Sequence, residues 1–289
     1  MKANIAAIFT LQDRFKNKII AFREFDDLAQ SCRIPLYKVD SLLSKENIRR
    51  IKEIAPDLIY VVSWSQLIPK EILDTPTLGC IGFHCSLLPK HRGRAPIPWS
   101  IIHGLRKSGM TMFYLTDGVD DGDIIGQIGF KISSIDEASD VYNKALKAAV
   151  GLMKRYHPLL ERKIAPRIPQ DNKKATYWMR RVPQDGLIDW NKSSCHIYDW
   201  VRALSHPFPG AFTYLNDKKI FIWKTQIYSS KHLILKPAVI RVDAKKSNII
   251  AGCGEGNIAL LRLQFENGQE KTSRDFLRQN NLSNGMVLG

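Results

Sequence analysis

Short apolar runs alternate with amphipathic stretches through the first half of this 289-residue chain. Residues 4–11, 34–39, 57–64 and 79–84 are strand-like, and Leu58-Ile59-Tyr60-Val61-Val62 is the clearest buried strand among them. Between them, residues 18–31 carry Ile19, Phe22, Phe25 and Leu28 at helical spacing. Ser44 is placed to cap a helix presenting Ile48, Ile51 and Ile54 on one face. Such alternation predicts an α/β fold, an open, mainly parallel Rossmann-like sheet with helices on both faces. Further strands are expected at 111–115 and 124–132, then a long helix over 138–160, ended by Pro158 and the prolines beyond it. Residues 170–186 are polar and basic and read as a linker; 195–204 read as a helix stopped at His206-Pro207. From there, strand candidates at 212–215, 219–223, 238–242, 248–251 and 258–264 alternate with turn signals and predict a small β-barrel or sandwich. The domains expected are therefore 1–184 and 185–289.

Composition changes this picture little. Hydrophobic residues make 44% of the chain and charged residues 25%, which suits a globular protein and excludes a disordered one. The formal net charge of +15 favours anionic partners, without choosing among nucleic acid, phosphorylated metabolites and a solvated basic face. Five cysteines without a CxxC pair exclude a disulfide framework or structural zinc site and suit a cytoplasmic location. The apolar N-terminus is followed by Gln12-Asp13-Arg14 with no small-residue cleavage site, so a first strand is expected rather than a signal peptide. No apolar run approaches the length of a membrane span.

Chemistry concentrates in two segments. His84 ends a predicted central strand, where open parallel sheets place their ligand crevice, and a histidine there can serve as acid or base near neutral pH. A Pro/Arg/Gly loop follows, offering Lys90, Arg92 and Arg94 to an anion. The second segment, Asp117-Gly118-Val119-Asp120-Asp121-Gly122-Asp123, has the residues of an ordinary turn. Its spacing does not match a calcium loop, and no metal is expected. After the first strand there is no G-x-G-x-x-G dinucleotide fingerprint.

Together these segments resemble the folate-dependent formyltransferase family, whose pattern runs Asn-x-His-x-Ser-Leu-Leu-Pro, a basic Arg-Gly loop, then Gly-x-Asp-x-Gly. His84, Ser86-Leu87-Leu88-Pro89, Arg92-Gly93 and Gly118, Asp120, Gly122 match it, with the family's separation between His84 and Asp120. The resemblance continues through Trp64-Ser65-Gln66-Leu67-Ile68-Pro69, Thr176-Tyr177-Trp178, Ile188-Asp189-Trp190 and Pro207-Phe208-Pro209-Gly210-Ala211. It implies an OB-like C-terminal β domain, 10-formyltetrahydrofolate as formyl donor, and His84 and Asp120 as catalytic residues. It also implies a pterin pocket from Trp64, Ser65, Gln66 and Leu67 together with Asp117, Gly118, Val119 and Asp120. Lys90, Arg92 and Arg94 are then expected to face the acceptor.

Within the family, Leu87–Pro96 and the Arg180-Arg181…Pro-Gly-Ala-Phe wording resemble the branch that formylates nucleotide-linked amino sugars for glycan synthesis. A UDP- or dTDP-linked 4-amino sugar is therefore the expected partner, with no membrane expected, nucleic acid disfavoured and a homodimer left open. Methionyl-tRNA is the alternative acceptor, and a folate- or nucleotide-binding homologue with weakened chemistry is a third reading. That third reading arises because Gly82 stands where the family has an asparagine that hydrogen-bonds the formyl oxygen. Ser86, the Gly82 backbone, water or protonated His84 are the expected substitutes for the missing amide.

Overall fold

A computed structural model describes residues 3–16, 19, 22–64, 66–230, 232–243 and 248–289. The first elements are β1 (Ile8–Leu11), α1 (Asp26–Cys32), β2 (Leu36–Val39), α2 (Lys45–Ile54), β3 (Ile59–Val61), α3 (Lys70–Leu73) and β4 (Cys80–His84). They are followed by β5 (Arg92–Gly93), α4 (Pro96–Ile102), β6 (Lys107–Tyr114), β7 (Ile124–Lys131), α5 (Ala138–Glu161) and β8 (Tyr177–Trp178). The remainder is α6 (Ser194–Leu204), β9 (Ala211–Leu215), β10 (Lys218–Tyr228), β11 (Ile240–Asp243), β12 (Asn248–Gly252), β13 (Asn257–Phe265), β14 (Lys271–Thr272) and α7 (Ser273–Gln279).

Two compact units share the chain discontinuously. The first comprises Met1–Pro96, Lys107–Lys131 and Lys144–Met179; the second comprises Ile97–Arg106, Ile132–Asn143 and Arg180–Gly289. In the first unit β1 and β2 pair in parallel, and a four-stranded sheet runs β3-β4-β6-β7. β3 and β4 are parallel, as the Rossmann-like pattern requires, and the sheet continues through antiparallel β6 and β7. Ile81, Met110, Met112, Tyr114 and Ile125 pack against Ala145, Ala148, Leu152 and Leu160 of α5. The two alanines bring the helix close to the sheet, and β4 is buried at its centre with His84 at its end.

Local chemistry explains where elements start. Ser44 caps α2 by accepting from the Asn47 N–H, as its position suggested. The helix expected over 18–31 begins only at Asp26. Asp26 and Asp27 then sit in the first turn, where carboxylates are favoured by the helix dipole. Lys18, Ile20 and Ala21 of that stretch lie outside the described residues. The expected linker is not one: β8 pairs with β5, and Ile168 exchanges backbone hydrogen bonds with Ile124. Gln170–Met179 thereby belongs to the first unit. Its polar composition suggested a solvated strand of chain, but its polar atoms are used inside the unit.

The second unit is an antiparallel sheet in the order β11-β12-β13-β10-β9, with β14 added to β13. Its core gathers Ile188, Trp190, Ile197 and Val201 with Ile220, Ile222, Ile258, Leu260 and Phe276. Asn216 and Asp217, both in the left-handed region (φ 49° and 59°), turn β9 into β10 as a tight hairpin does.

Candidate active site

β4 aims His84 and residue 82 at the same face of the sheet, because strand side chains alternate. The His84 ring is 8% exposed and held from both sides. Its Nε2 lies 2.7 Å from the His91 carbonyl oxygen. A carbonyl only accepts, so Nε2 carries the proton. Nδ1 faces Asp120 Oδ2 at 3.5 Å, too long for a direct hydrogen bond but within ion-pair reach of a doubly protonated ring.

The partners of His84 are themselves fixed. His91 has φ 63°, donates its N–H to Thr176 Oγ1 at 2.9 Å, and stacks its ring on Trp178 at 3.9 Å and 5°. Gly93 has φ 100°, and a Cβ there would lie 2.5 Å from the Trp178 carbonyl oxygen, so only glycine lets β5 and β8 approach this closely. Its N–H donates to Asp120 Oδ2 at 2.8 Å. Asp120 is itself left-handed, with φ 50°. Gln170 Nε2 donates to the Asp120 carbonyl at 2.8 Å and to that of Gly122 at 2.7 Å. Gly122 has no room for a side chain, since a Cβ would meet the Tyr114 carbonyl oxygen at 1.9 Å.

Residue by residue, the sequence expectations fare unevenly. His84 and Asp120 meet. Lys90 and Arg94 are exposed. Arg92 is not available to an acceptor: it is 2% exposed, and its guanidinium donates to Gln170 Oε1 twice, Asn172 Oδ1 and the Tyr177 hydroxyl. Ser86 is not available to an oxyanion, because its buried hydroxyl donates to the Lys90 carbonyl at 2.7 Å. The space beside Gly82 is not open to water. A Cβ on Gly82 would lie 2.6 Å from Leu115 Cδ2 and 3.2 Å from Phe113 Cε1. Leu115 is held there by its N–H to the Cys80 carbonyl and by packing on Leu88, Phe113 and Ile124. An apolar side chain thus stands where the family pattern has an amide.

Trp64 packs on Val39, Leu42, Ile51 and Ile72, yet its indole N–H is buried without a partner. Gln66 donates to the Asp40 carbonyl at 3.0 Å and leaves Oε1 buried and unpartnered. Val62 and Leu67 beside them are 64% and 73% exposed, and Val119 of the acidic loop is 53% exposed. Ser65 lies outside the described residues. Asp117 and Gly118 are exposed.

Cys80 and Cys85 flank this site in sequence, but burial pushes both thiols up to about 12, which disfavours a nucleophilic thiolate. Among the described residues no group of histidines, cysteines and carboxylates could hold a metal ion, and no helix is long and apolar enough to cross a membrane. Cavities of about 500 Å³ near Lys52, Glu71 and Thr77 and about 410 Å³ near Tyr228, Leu235 and Asn257 lie on segments away from His84. Gln170, the His91 carbonyl and Leu115 were not anticipated from sequence. Each acts through a contact distant along the chain, and no local pattern announces it.

Comparison with known proteins bears on what this site acts upon. Residues 1–156 match the formyl transferase family and residues 181–281 its C-terminal domain. A methionyl-tRNA formyltransferase of Pelotomaculum thermopropionicum is 33% identical over 90% of this chain and 82% of its own. One of Clostridioides difficile is 33% identical over 99% of this chain and 92% of its own. Five further relatives, 30–34% identical, carry the same name. Among solved structures, a sugar 3N-formyl transferase crystallised with dTDP and 5-N-formyl-THF superposes with TM-score 0.59 at 21% identity, covering 86% of this chain and 83% of its own. That likeness shows the fold alone. The expectation of a nucleotide-linked amino sugar in preference to a nucleic acid is therefore corrected: the near-full-length relatives are named for a tRNA acceptor, the alternative reading. Arg92, one of three cations expected to face the acceptor, is also buried and committed elsewhere.

Proposed function

The chain belongs to the formyl transferase family, and from that membership we propose that it formylates the α-amino group of methionyl-tRNA with 10-formyltetrahydrofolate. The observation that carries the acceptor is the agreement of relatives that match this chain along nearly its whole length. The net charge of +15 suits a polyanionic partner. Unpaired Cys32 and Cys195, both exposed, suit the reducing cytoplasm where such an acceptor is found.

The residues present fit a folate. Trp64 offers a buried donor and Gln66 a buried acceptor, both unpartnered, beside exposed Val62 and Leu67. A flat heteroaromatic ring with polar edges satisfies both demands. Trp64, Gln66, Leu67 and the loop Asp117–Asp120 would hold it, and the folate supplies the formyl group as an activated amide. The attacking amine must lose a proton, and charge must be stabilised on the formyl oxygen. His84, whose Nδ1 faces the Asp120 carboxylate at 3.5 Å, does the first. With Ser86 committed to Lys90, the Nε2–H of His84 committed to the His91 carbonyl and Leu115 filling the space beside Gly82, the Nδ1–H that His84 gains on taking the amine proton is the donor left for the oxygen. Lys90 and Arg94 are exposed, which supports reading them as contacts to acceptor phosphates.

Steady-state transfer to methionyl-tRNA, measured across a range of salt, tests this reading. A KM that rises steeply with salt is expected as phosphate contacts exchange with counterions. A salt-independent KM, or no transfer, counts against it.

A further inference from the structure

Arg92 poses a question that the motif match leaves unanswered. Its guanidinium is 2% exposed, yet among the described residues no carboxylate pairs with it. A buried cation surrounded by neutral oxygens is an expensive arrangement unless it does something that a neutral side chain cannot. Its partners show what that is. Gln170 Oε1 accepts from Arg92 Nε at 3.1 Å and from Nη2 at 2.8 Å, a side-on fork. The other end of the same amide, Nε2, spends its two protons on the carbonyls of Asp120 and Gly122.

This arrangement admits one orientation of the amide. Turned over, Gln170 would set its NH2 against two guanidinium N–H groups and its oxygen against two carbonyls. Arg92 therefore locks the direction in which Gln170 donates. The two carbonyls it grips bracket the turn that holds Asp120 at φ 50°, a conformation non-glycine residues leave readily. Relaxing that turn would carry the carboxylate off the Gly93 N–H and away from His84. The segment bearing Gln170 is anchored two residues earlier by the Ile168–Ile124 bridge, so the amide is presented from a fixed backbone.

We propose that Gln170, oriented by Arg92, is a positioning residue that holds the Asp120 turn so that the carboxylate faces His84. This role rests on the formyl-transfer reading of the site. It lies outside the His84 and Asp120 motif segments, fifty residues beyond Asp120.

The test uses the full chain labelled with ¹⁵N-histidine, as wild type, Gln170→Met and Gln170→Glu. Imidazole ¹⁵N signals report the partner at each ring nitrogen. In Gln170→Met the His84 Nδ1 signal, facing Asp120, is expected to move, while Nε2, on the His91 carbonyl, stays. A general loosening of the fold would move both. kcat is expected to fall about 10²-fold, as for a catalytic group displaced by an ångström, with acceptor KM little changed. Gln170→Glu keeps an oxygen for Arg92 but sets another against the two carbonyls, so it should move Nδ1 as well, and it decides the matter if the methionine variant does not fold. Combined with Asp120→Asn, either substitution should cost nothing further in kcat. An unmoved Nδ1 signal in both variants, or a glutamate variant indistinguishable from wild type, overturns the proposal. If wild type transfers no formyl to methionyl-tRNA but Nδ1 still moves, the acceptor reading fails and the positioning role stands.

Discussion

Replacing Gly82 by asparagine restores the family pattern in sequence, and the structure says it should fail on its own. The new Cβ would sit 2.6 Å from Leu115 Cδ2, 3.1 Å from Leu115 Cγ and 3.2 Å from Phe113 Cε1. Phe113 is 2% exposed and cannot retreat; Leu115 must be displaced. Overpacking of this kind costs about 2 kcal/mol. For a unit of this size that lowers Tm by roughly 5 °C. Leu115→Ala alone should also cost about 2 kcal/mol, the low end for leucine truncation, because Leu115 is only half-buried. In the double variant the asparagine occupies the space the leucine leaves. The two losses should then not add, with a coupling of about 2 kcal/mol in favour of the pair. Thermal unfolding of the four proteins measures this cycle directly. Strict additivity, or a Gly82→Asn protein as stable as wild type, would refute the claim that Leu115 fills the position. The same four proteins report on catalysis. An added oxyanion donor is worth about 10²-fold in rate, so the double variant should be faster than wild type. A stable double variant with no gain would show that charge does not develop beside residue 82.

Other outcomes follow from the geometry. His84→Ala and Asp120→Asn should each lower kcat by roughly 10²- to 10⁴-fold without unfolding the chain, as expected for acid–base groups, and near-normal turnover in either would remove it from the mechanism. Arg92→Met should cost about 3–5 kcal/mol in thermal unfolding by stranding Gln170, Asn172 and Tyr177. Lys90→Ala should instead leave Tm alone, raise acceptor KM and flatten its salt dependence by about one unit of slope. Iodoacetamide at pH 8 should label the exposed Cys32 and Cys195 in the native chain. It should spare Cys80, Cys85 and Cys253, whose thiols burial pushes up to about 12, and peptide mass mapping reads the result.

Much of the site was legible because its chemistry is local. His84 at a strand end and the glycines that a crowded acidic turn demands follow from short patterns. The hairpin at Asn216-Asp217 and the Ser44 cap were legible for the same reason. What escaped reading depends on distance along the chain. Arg92 looked like a substrate contact because a basic residue in a polar loop is usually solvated; only the fold brings Gln170, Asn172 and Tyr177 around it. Gln170 sat in a stretch too polar to suggest anything but a linker. Leu115 belongs to the strand-end beside β4, and nothing in its own neighbourhood marks it as the counterpart of Gly82. The acceptor was misread for a related reason: short wordings around the Arg-Gly loop resembled the sugar branch, whereas identity along the whole chain pointed to tRNA.

The most direct test of the proposed reaction is the fate of the methionyl amine. The chain is incubated with 10-formyltetrahydrofolate and methionyl-tRNA, the tRNA is digested with ribonuclease, and the aminoacyl-adenosine released is weighed by mass spectrometry. N-formylmethionyl-adenosine is expected with the wild-type chain and not with His84→Ala. Unmodified methionyl-adenosine from the wild-type chain, while tetrahydrofolate is released in the same tube, would contradict the assignment of the acceptor.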